Sequence, residues 1–337
     1  MKKWFVLCLT ELLLLASCEL PVMQPSTPTG NFEALWTELD TKYCFFDYKA
    51  AEYGLDWNEV HARYAPLVND NMTDRQLFDV LSSVVNELRD GHANLIAKDF
   101  VSQYSDFYRR YPHNFSSDLM LDILESAGYY YGSGVYYAIL PDSVAYMRVG
   151  SFTTSFTDTF LTHLFAYFAD CKGLVVDVRD NGGGDLTLAQ TLAMRFMTKP
   201  LTVGYIAHKT GPAHDAFSKP EPIRFEPDTT LSRWLRPTCV LSNRHTFSAA
   251  NDFVRNMKLL PQVTIVGDST GGGSGLPMST DLPNGWTLRY SACPMYDVNM
   301  NHTEFGIAPD IRVDLLPSDE ARTVDTILQT ALDLLKQ

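Results

Sequence analysis

Residues 173–187 read GLVVDVRDNGGGDLT, an apolar run followed by a glycine turn and the start of a helical pattern. The run from Gly173 to Arg179 is typical of a strand buried on both faces. Helical spacing over 185–197 follows the turn, so a strand, a tight turn and a helix are predicted in succession. Three glycines let the backbone turn with its N–H groups exposed, which suits binding of a negative charge. Alone, the same turn also fits phosphate binding or a simple change of chain direction.

Alternating strands and helices continue on both sides of this stretch. Buried or half-buried strands are predicted at 144–149, 238–241, 263–266 and 286–291, and helices at 157–171, 247–258 and 318–336. Such alternation is typical of an α/β domain, which we place at residues 144–337.

The region before the α/β domain has a different pattern. Residues 31–96 are predicted to form an N-terminal helical domain, and its third helix has the clearest signals. Thr73 and Gln76 form a capping box at its start, and Gly91 is expected to end it with a left-handed residue. Residues 97–143 are predicted to connect the two domains. Their clustered tyrosines are compatible with strands, with a wall facing a substrate, or with ordinary packing.

The N-terminus has the features of an export signal. The apolar run at 4–15 is too short to span a membrane well and contains a glutamate, so residues 1–17 are predicted to be a signal peptide. LASC at 15–18 resembles a lipobox, which predicts lipidation of Cys18; an ordinary secretory signal with an incidental cysteine is the alternative. Residues 18–30 are predicted to be a tether. The chain is then expected at the bacterial cell envelope, on the periplasmic side or cell surface, anchored to the membrane through lipid only.

Composition excludes some partners. The chain of 337 residues has a formal net charge of -13, which argues against a nucleic-acid partner because that surface needs a basic stripe. Four cysteines beyond Cys18 are widely spaced without a C-x-x-C pair, so no metal or cofactor is implied. One disulfide among them is compatible with an oxidising compartment, and its pairing stays open. These four are Cys44, Cys171, Cys239 and Cys293.

Two further segments carry candidate chemistry. NRHTFSAA at 243–250 places Ser248 at a predicted helix N-terminus, where the helix dipole favours developing negative charge. A simple N-cap is the alternative role for this serine. GDSTGGGS at 267–274 is another glycine-rich turn after a strand.

In this order the three segments resemble the core of the carboxyl-terminal processing (tail-specific) serine peptidases. DVRDNGGG matches the family pattern D-L-R-x-N-x-G-G, and TFSAA matches T-x-S-A-A-E up to Asn251, which replaces the glutamate. GDSTGGGS resembles G-x-x-T-x-G-K-G, with Gly273 in place of the lysine, and GIAPD at 306–310 matches G-[IV]-x-P-D. LRDGH at 88–92 resembles the L-x-D-G-H segment of the tricorn-core and interphotoreceptor retinoid-binding protein-like branch.

The resemblance implies a fold, an activity and a set of roles. It implies an α/β, Clp protease/crotonase-like spiral core behind the N-terminal helical domain, without a PDZ domain. The expected activity is hydrolysis of a peptide or protein substrate through an acyl-enzyme on Ser248. Because Gly273 excludes a Ser–Lys pair at that position, the branch pattern assigns His92 as general base and Glu304 as the acid that orients it. Ala249, with Gly183 or the neighbouring Gly182, is the candidate oxyanion hole.

Several alternatives stay open. His245 is three residues from Ser248 and is the second candidate base, whereas His113 and His302 are expected to be exposed or loop histidines. Arg179 is a candidate anchor for a substrate carboxylate or part of a structural ion pair. The alternative function is a catalytically inactive family member that binds peptides or an apolar ligand. Hydrogen-bond contact between His92 and Ser248 is the observation that separates these functions.

Overall fold

The structure is a computed structural model that describes residues 24–336. The predicted signal peptide at 1–17, the lipidation site Cys18 and the tether up to residue 23 lie outside the described residues. In the described part no helix is long and apolar enough to cross a membrane. The helices are α1 Pro28–Lys42, α2 Phe46–Tyr53, α3 Trp57–Tyr64, α4 Asp74–Asn86, α5 Asp106–Arg109, α6 Ser117–Ala127, α7 Asp158–Tyr167, α8 Leu186–Met194, α9 Ala249–Met257, α10 Pro317–Glu320 and α11 Thr326–Leu335.

The strands form two sheets. They are β1 Asn94–Ile96, β2 Val101–Gln103, β3 Tyr130–Gly132, β4 Val135–Leu140, β5 Val144–Val149, β6 Gly173–Asp177, β7 Leu201–Ile206, β8 Glu221–Phe225, β9 Thr238–Ser242, β10 Val263–Gly267, β11 Gly275–Asp281, β12 Thr287–Tyr296 and β13 Ile311–Arg312.

The larger sheet has the order β13-β10-β9-β6-β5-β4-β3. Its pairs from β5 to β13 are parallel, and β3 and β4 add an antiparallel edge. Every residue of β5, β6 and β9 is buried, because helices cover both faces. Leu174 and Val176 pack towards α7, α8 and α9, while the intervening Val175 packs towards α6 and α11. The predicted mixed α/β class is therefore confirmed.

The second sheet joins distant parts of the chain. It has the antiparallel order β2-β1-β12-β7-β8, with β11 also paired to β12. Leu35, Leu39 and Leu81 of the N-terminal helices share one core with Leu288 and Tyr290 of β12. The residues of the predicted N-terminal helical domain at 31–96 thus pack directly on strands from the C-terminal half.

Some predicted boundaries differ from the structure. α1 begins at Pro28, inside the predicted tether, with Thr27 as its N-cap. The capping box of Thr73 and Gln76 is present, but α4 ends at Asn86, and Arg89 rather than Gly91 adopts the left-handed conformation (φ 46). The single helix predicted at 318–336 is divided into α10 and α11. The division lies around Thr323, whose φ is 58.

The fold positions three loops at one place. β6, β9 and β10 are adjacent parallel strands, so the loops that leave their carboxyl ends meet at the same edge of the sheet. These loops are the three glycine- and serine-bearing segments singled out in the sequence. The turn after α4, which carries His92, reaches the same edge from the second sheet.

Candidate active site

Ser248 lies at the sharp turn between β9 and α9. Its backbone has φ 58 and ψ -122, a strained combination for a residue with a side chain. Its N–H donates to the Gly272 carbonyl at 2.9 Å, which fixes the turn to the loop after β10. The side chain makes no capping hydrogen bond to α9. The hydroxyl is therefore available for another partner, and the alternative role of a simple N-cap is not what the structure shows.

That partner is His92. Its Nε2 lies 2.9 Å from Ser248 Oγ, and its ring packs edge-on against Phe247 at a centroid distance of 4.9 Å. Burial lowers the pKa of His92 to about 4, although the negative charge of Asp90 opposes that shift. The imidazole is therefore neutral near pH 7 and able to accept the proton of the serine hydroxyl.

Asp90 holds the turn that presents His92. One carboxylate oxygen accepts the His92 backbone N–H at 2.7 Å. The other accepts the Tyr43 hydroxyl at 3.0 Å and the Ser291 hydroxyl at 2.8 Å. Because both oxygens are occupied, Asp90 fixes the backbone of His92 and acts on its ring only through charge. The sequence motif contained Asp90 but gave no reason to assign it this role.

Glu304 lies in the same buried region but does not contact the imidazole. Its Oε1 accepts from Lys49 Nζ at 3.1 Å, and its Oε2 accepts from Ser274 N–H at 3.1 Å. Burial and the nearby Asp90 raise the pKa of Glu304, and Lys49 counteracts the shift. Nδ1 of His92 makes no hydrogen bond to a carboxylate among residues 24–336, and the backbone of Gly275 is the neighbour that favours the protonated ring. The structure thus places Glu304 near the site without the direct hydrogen bond to His92 that an orienting acid would make.

The glycine turn approaches Ser248 closely. Gly183 has φ 96, and a Cβ there would lie 2.9 Å from Ser248 Cβ and 2.9 Å from Ala249 N, so only glycine fits. Its own N–H donates to Asn181 Oδ1 at 2.9 Å. Within the described residues, Ala249 N–H and Gly184 N–H have no acceptor, and both residues line the cleft beside Ser248. Gly182 is exposed, and it is not among the described residues that line this cleft.

The rival candidates lie elsewhere. His245 packs against Tyr108 and His113, at centroid distances of 3.9 and 5.0 Å, rather than against Ser248. Arg179 is fully buried and pairs with Asp177 at 2.6 Å and with Asp325 at 2.8 Å. It is therefore part of a structural ion pair and not a substrate anchor.

The remaining residues singled out in the sequence lie outside the Ser248–His92 contact. His113 is exposed as expected, whereas His302 is half-buried and stacks on Tyr48 at 4.2 Å. Asn251 Oδ1 accepts the Thr270 hydroxyl at 2.6 Å and so ties α9 to the loop after β10. The clustered tyrosines of β3 and β4 lie at the sheet edge and do not line the cleft among the described residues.

The structure explains why glycine replaces lysine at position 273. Gly273 has φ 79, and a Cβ there would lie 2.5 Å from the ring of Phe247. Phe247 in turn stacks on Phe107 at 4.6 Å and contacts His92. Gly91 faces the same rings, at 2.7 Å from Phe107 and 2.8 Å from Phe247 for an added Cβ. An aromatic pair behind the histidine thus occupies the space that a side chain at 273 would need.

We expect Gly273→Ala to destabilise the protein more than Gly285→Ala does. Both glycines have φ near 80, but a Cβ at Gly285 would meet nothing within 4 Å. The strained φ alone costs about 1–2 kcal/mol, and contact with Phe247 adds about 1–3 kcal/mol at position 273. Urea unfolding of the two variants measures the difference. Equal losses of unfolding free energy would show that Phe247 does not restrict position 273.

The cleft beside Ser248 is lined by apolar and charged groups. Leu276, Pro277 and Met295 supply apolar surface, and Arg289 supplies a positive charge. Arg289 donates to Asn94 at 3.3 Å, and among the described residues no carboxylate lies within 4 Å of it. Neither Arg289 nor Lys49 had a signal in the sequence, because each is an isolated charged residue within an ordinary strand or helix.

The chain belongs to peptidase family S41, whose sequence pattern matches residues 143–313. The tricorn protease C1 domain matches residues 25–86. The resemblance on which the site residues were chosen is thereby confirmed. A crystal structure of a candidate peptidase from Parabacteroides merdae has a TM-score of 0.87 and 46% sequence identity, and the match covers 92% of this chain and 97% of that one.

Two curated relatives match over shorter stretches. A candidate tricorn-like protease C-terminal subunit of Sulfurisphaera tokodaii is 28% identical over 174 residues, which is 49% of this chain and 18% of that protein. A tail-specific protease of Haemophilus influenzae is 30% identical over 151 residues, which is 42% of this chain and 20% of that protein. The matches thus span about a fifth of the length of these relatives.

Proposed function

We propose that the protein is a serine peptidase that hydrolyses peptide bonds through an acyl-enzyme on Ser248, with His92 as general base. The observation that supports this most directly is the 2.9 Å contact between His92 Nε2 and Ser248 Oγ. A buried neutral histidine beside a serine hydroxyl that caps nothing is the arrangement that nucleophilic catalysis needs. It favours an active enzyme over the inactive, ligand-binding alternative.

The proposed reaction follows from these positions. His92 accepts the Ser248 proton as Oγ attacks the substrate carbonyl carbon, and it then gives the proton to the departing amine. Water hydrolyses the resulting ester by the same proton transfers. The oxyanion needs two N–H donors, and we assign Ala249 and the glycine turn to this role. Within that turn Gly184 is the best-placed donor, because the Gly183 N–H is bonded to Asn181.

Carboxylates stabilise the protonated His92 that forms during the reaction. Asp90 lies nearest along the chain and raises the pKa of His92 through its charge. We propose that Asp90 orients the histidine through the backbone, while Glu304 and Lys49 form the buried support behind it. The assignment of Glu304 as the direct orienting acid then requires a movement of its side chain away from Lys49.

We also propose that the protein acts at the bacterial cell envelope on peptide or protein chains. The signal-like residues 1–17 and the lipobox at 15–18 support export and a lipid anchor at Cys18. The apolar cleft beside Ser248 supports a peptide substrate. Globomycin treatment of expressing cells tests the anchor, since blocked processing would leave the 1–17 segment attached.

A fluorophosphonate probe tests the peptidase proposal. The purified protein is expected to form one covalent adduct, located on Ser248 by peptide mass mapping. The labelling rate should follow the neutral fraction of His92. Because the pKa of His92 is lowered to about 4, the rate should stay high from neutral pH downward and halve only near pH 4. An unperturbed histidine would halve it near about pH 6.5.

Four results would count against the proposal. Folded protein that does not label at any pH would favour the inactive alternative. An adduct on another serine would move the site. A midpoint near the ordinary histidine value, or labelling that survives His92→Ala but not His245→Ala, would overturn the choice of His92 as the buried base.

A further inference from the structure

A second cluster of ligand-type side chains lies next to the three loops. His113, Asp180 and His245 each place one potential ligand atom within 4.8 Å of the other two. His113 Nε2 lies 2.7 Å from Asp180 Oδ2, and the two imidazole rings are 5.0 Å apart. The three residues come from the segment before α6, the loop after β6 and the loop after β9. No spacing pattern in the sequence joins them, which is why cysteine and histidine motifs gave no sign of them.

One buried side chain holds all three residues in place. Asn243 is fully buried, and its Nδ2 donates to Asp180 Oδ1 at 2.7 Å and to the His113 carbonyl at 2.8 Å. Its Oδ1 accepts from the backbone N–H of Asp180 at 3.0 Å and of His245 at 3.1 Å. The bond to Asp180 Oδ1 is of the kind that orients a metal-binding carboxylate, and the bonds to the backbones of His113 and His245 fix the positions from which the two imidazoles extend. They leave Asp180 Oδ2 and the two imidazoles facing one another.

A simple ion pair does not account for the cluster. His113 and Asp180 already form a hydrogen-bonded pair, and that pair does not require the imidazole of His245 beside it. Among the described residues, neither ring nitrogen of His245 has a hydrogen-bond partner. The imidazole of His245 therefore lies without a partner beside the His113–Asp180 pair. Together the three side chains supply two imidazoles and one carboxylate, a ligand set found in metal sites.

We propose that His113, Asp180 and His245 bind a divalent transition-metal ion of the zinc type. Two imidazole nitrogens and one carboxylate oxygen are donors that Zn²⁺ accepts, at about 2.0–2.2 Å each. Tetrahedral coordination at that length brings the donor atoms to about 3.4 Å from one another. His113 is exposed, so its side chain can rotate to lengthen its 2.7 Å contact with Asp180 and approach His245, and its exposure leaves the fourth position to water.

The ion would join two parts of the candidate active site. Asp180 is two residues before Gly182 in the glycine turn, and His245 is three residues before Ser248. Coordination would therefore fix the loop after β6 to the loop after β9, outside the cleft. This proposal does not depend on the peptidase activity, because binding is measured on the folded protein alone.

Titration of the metal-free protein tests the site. Bound Co²⁺ should show the visible ligand-field absorption that is typical of a four-coordinate ion. Zn²⁺ should displace it, with one Zn²⁺ bound per protein chain. Saturating Zn²⁺ should raise the melting temperature, since it binds only the folded chain. In His113→Gln and in His245→Gln the affinity for Zn²⁺ should fall by at least about tenfold, and the stabilisation should disappear.

Two controls keep the result decisive. His163 is an exposed histidine on α7, so His163→Gln should bind Zn²⁺ as the wild type does. Cys293 Sγ lies 3.4 Å from His208 Nδ1 and offers a competing thiol–imidazole pair. Binding that survives His113→Gln and His245→Gln but is lost in Cys293→Ser would overturn the proposal. So would the absence of saturable binding to the folded wild type, or equal weakening in His163→Gln.

Discussion

Replacing Ser248 by alanine is expected to lower kcat/KM for a peptide substrate by at least about 10⁴-fold, and replacing His92 by alanine should cost a comparable factor. Both side chains act in one proton transfer across the 2.9 Å contact, so neither is useful without the other. The double variant should therefore be no slower than Ser248→Ala alone. Residual rates would reflect the N–H donors and substrate binding, which neither substitution removes.

The measurement is steady-state hydrolysis of a fluorogenic peptide, with circular dichroism to confirm folding. His163→Gln serves as the matched histidine control, because its side chain is exposed on α7 and distant in sequence from every loop of the site. Independent, multiplicative losses in the double variant would mean that Ser248 and His92 do not work as a pair. A Ser248→Ala protein with wild-type activity would remove the serine from the mechanism.

The sequence was sufficient for the residues that lie within one motif. The buried strand β6 and the turn at 182–184 were predictable, because all-apolar strands and consecutive glycines each have few structural solutions. Ser248 was selected by the family motif, because its place between β9 and α9 also fitted a simple N-cap. The family resemblance selected His92 from the histidines, and the structure brings the two together across 156 positions of sequence.

Contacts between distant segments were not predictable in this way. The antiparallel sheet joins β1 to β12, which are almost 200 residues apart, so no local pattern showed that the N-terminal helices pack on β12. Gly91 was assigned to a helix end because C-terminal glycines usually have that role. Its actual constraint is the proximity of Phe107 and Phe247, and no local pattern contains that information.

The ion-pair partner of Glu304 was also not predictable from the sequence. Its position in the chain identified it as an acid near the site, but the sequence could not show the cation that it faces. Lys49 lies on α2 and reaches Glu304 with no exposure of either side chain beyond 2%. Lys49 Nζ also contacts the segment just after α4, where it donates to the carbonyls of Leu88 at 2.6 Å and Arg89 at 3.2 Å. The turn that carries His92 begins at this point.

Above about pH 8, where Glu304 is ionised, Lys49→Met is therefore expected to lower the free energy of unfolding by about 3–5 kcal/mol, because it leaves a buried carboxylate without its cation. Lys258→Met is the matched control. Lys258 also donates to a carbonyl and a carboxylate, those of Ala308 and Asp310, but this pair is partly exposed and should contribute less than about 1 kcal/mol. Urea unfolding followed by circular dichroism compares the two variants.

A second substitution and a change of pH distinguish the contribution of the Glu304 charge from that of the hydrogen bonds to the Leu88 and Arg89 carbonyls. Lys49→Met with Glu304→Gln removes both charges, so part of the lost stability should return. Burial raises the pKa of Glu304, so its folded form takes up a proton more readily than the unfolded chain does. The deficit of Lys49→Met should then be largest above about pH 8, where Glu304 is ionised beside Lys49 in the wild type, and shrink as pH falls through about 8 and Glu304 becomes protonated in both proteins. A deficit that is independent of pH and unchanged by Glu304→Gln would mean that Lys49 stabilises the turn before His92 through the carbonyls of Leu88 and Arg89 alone.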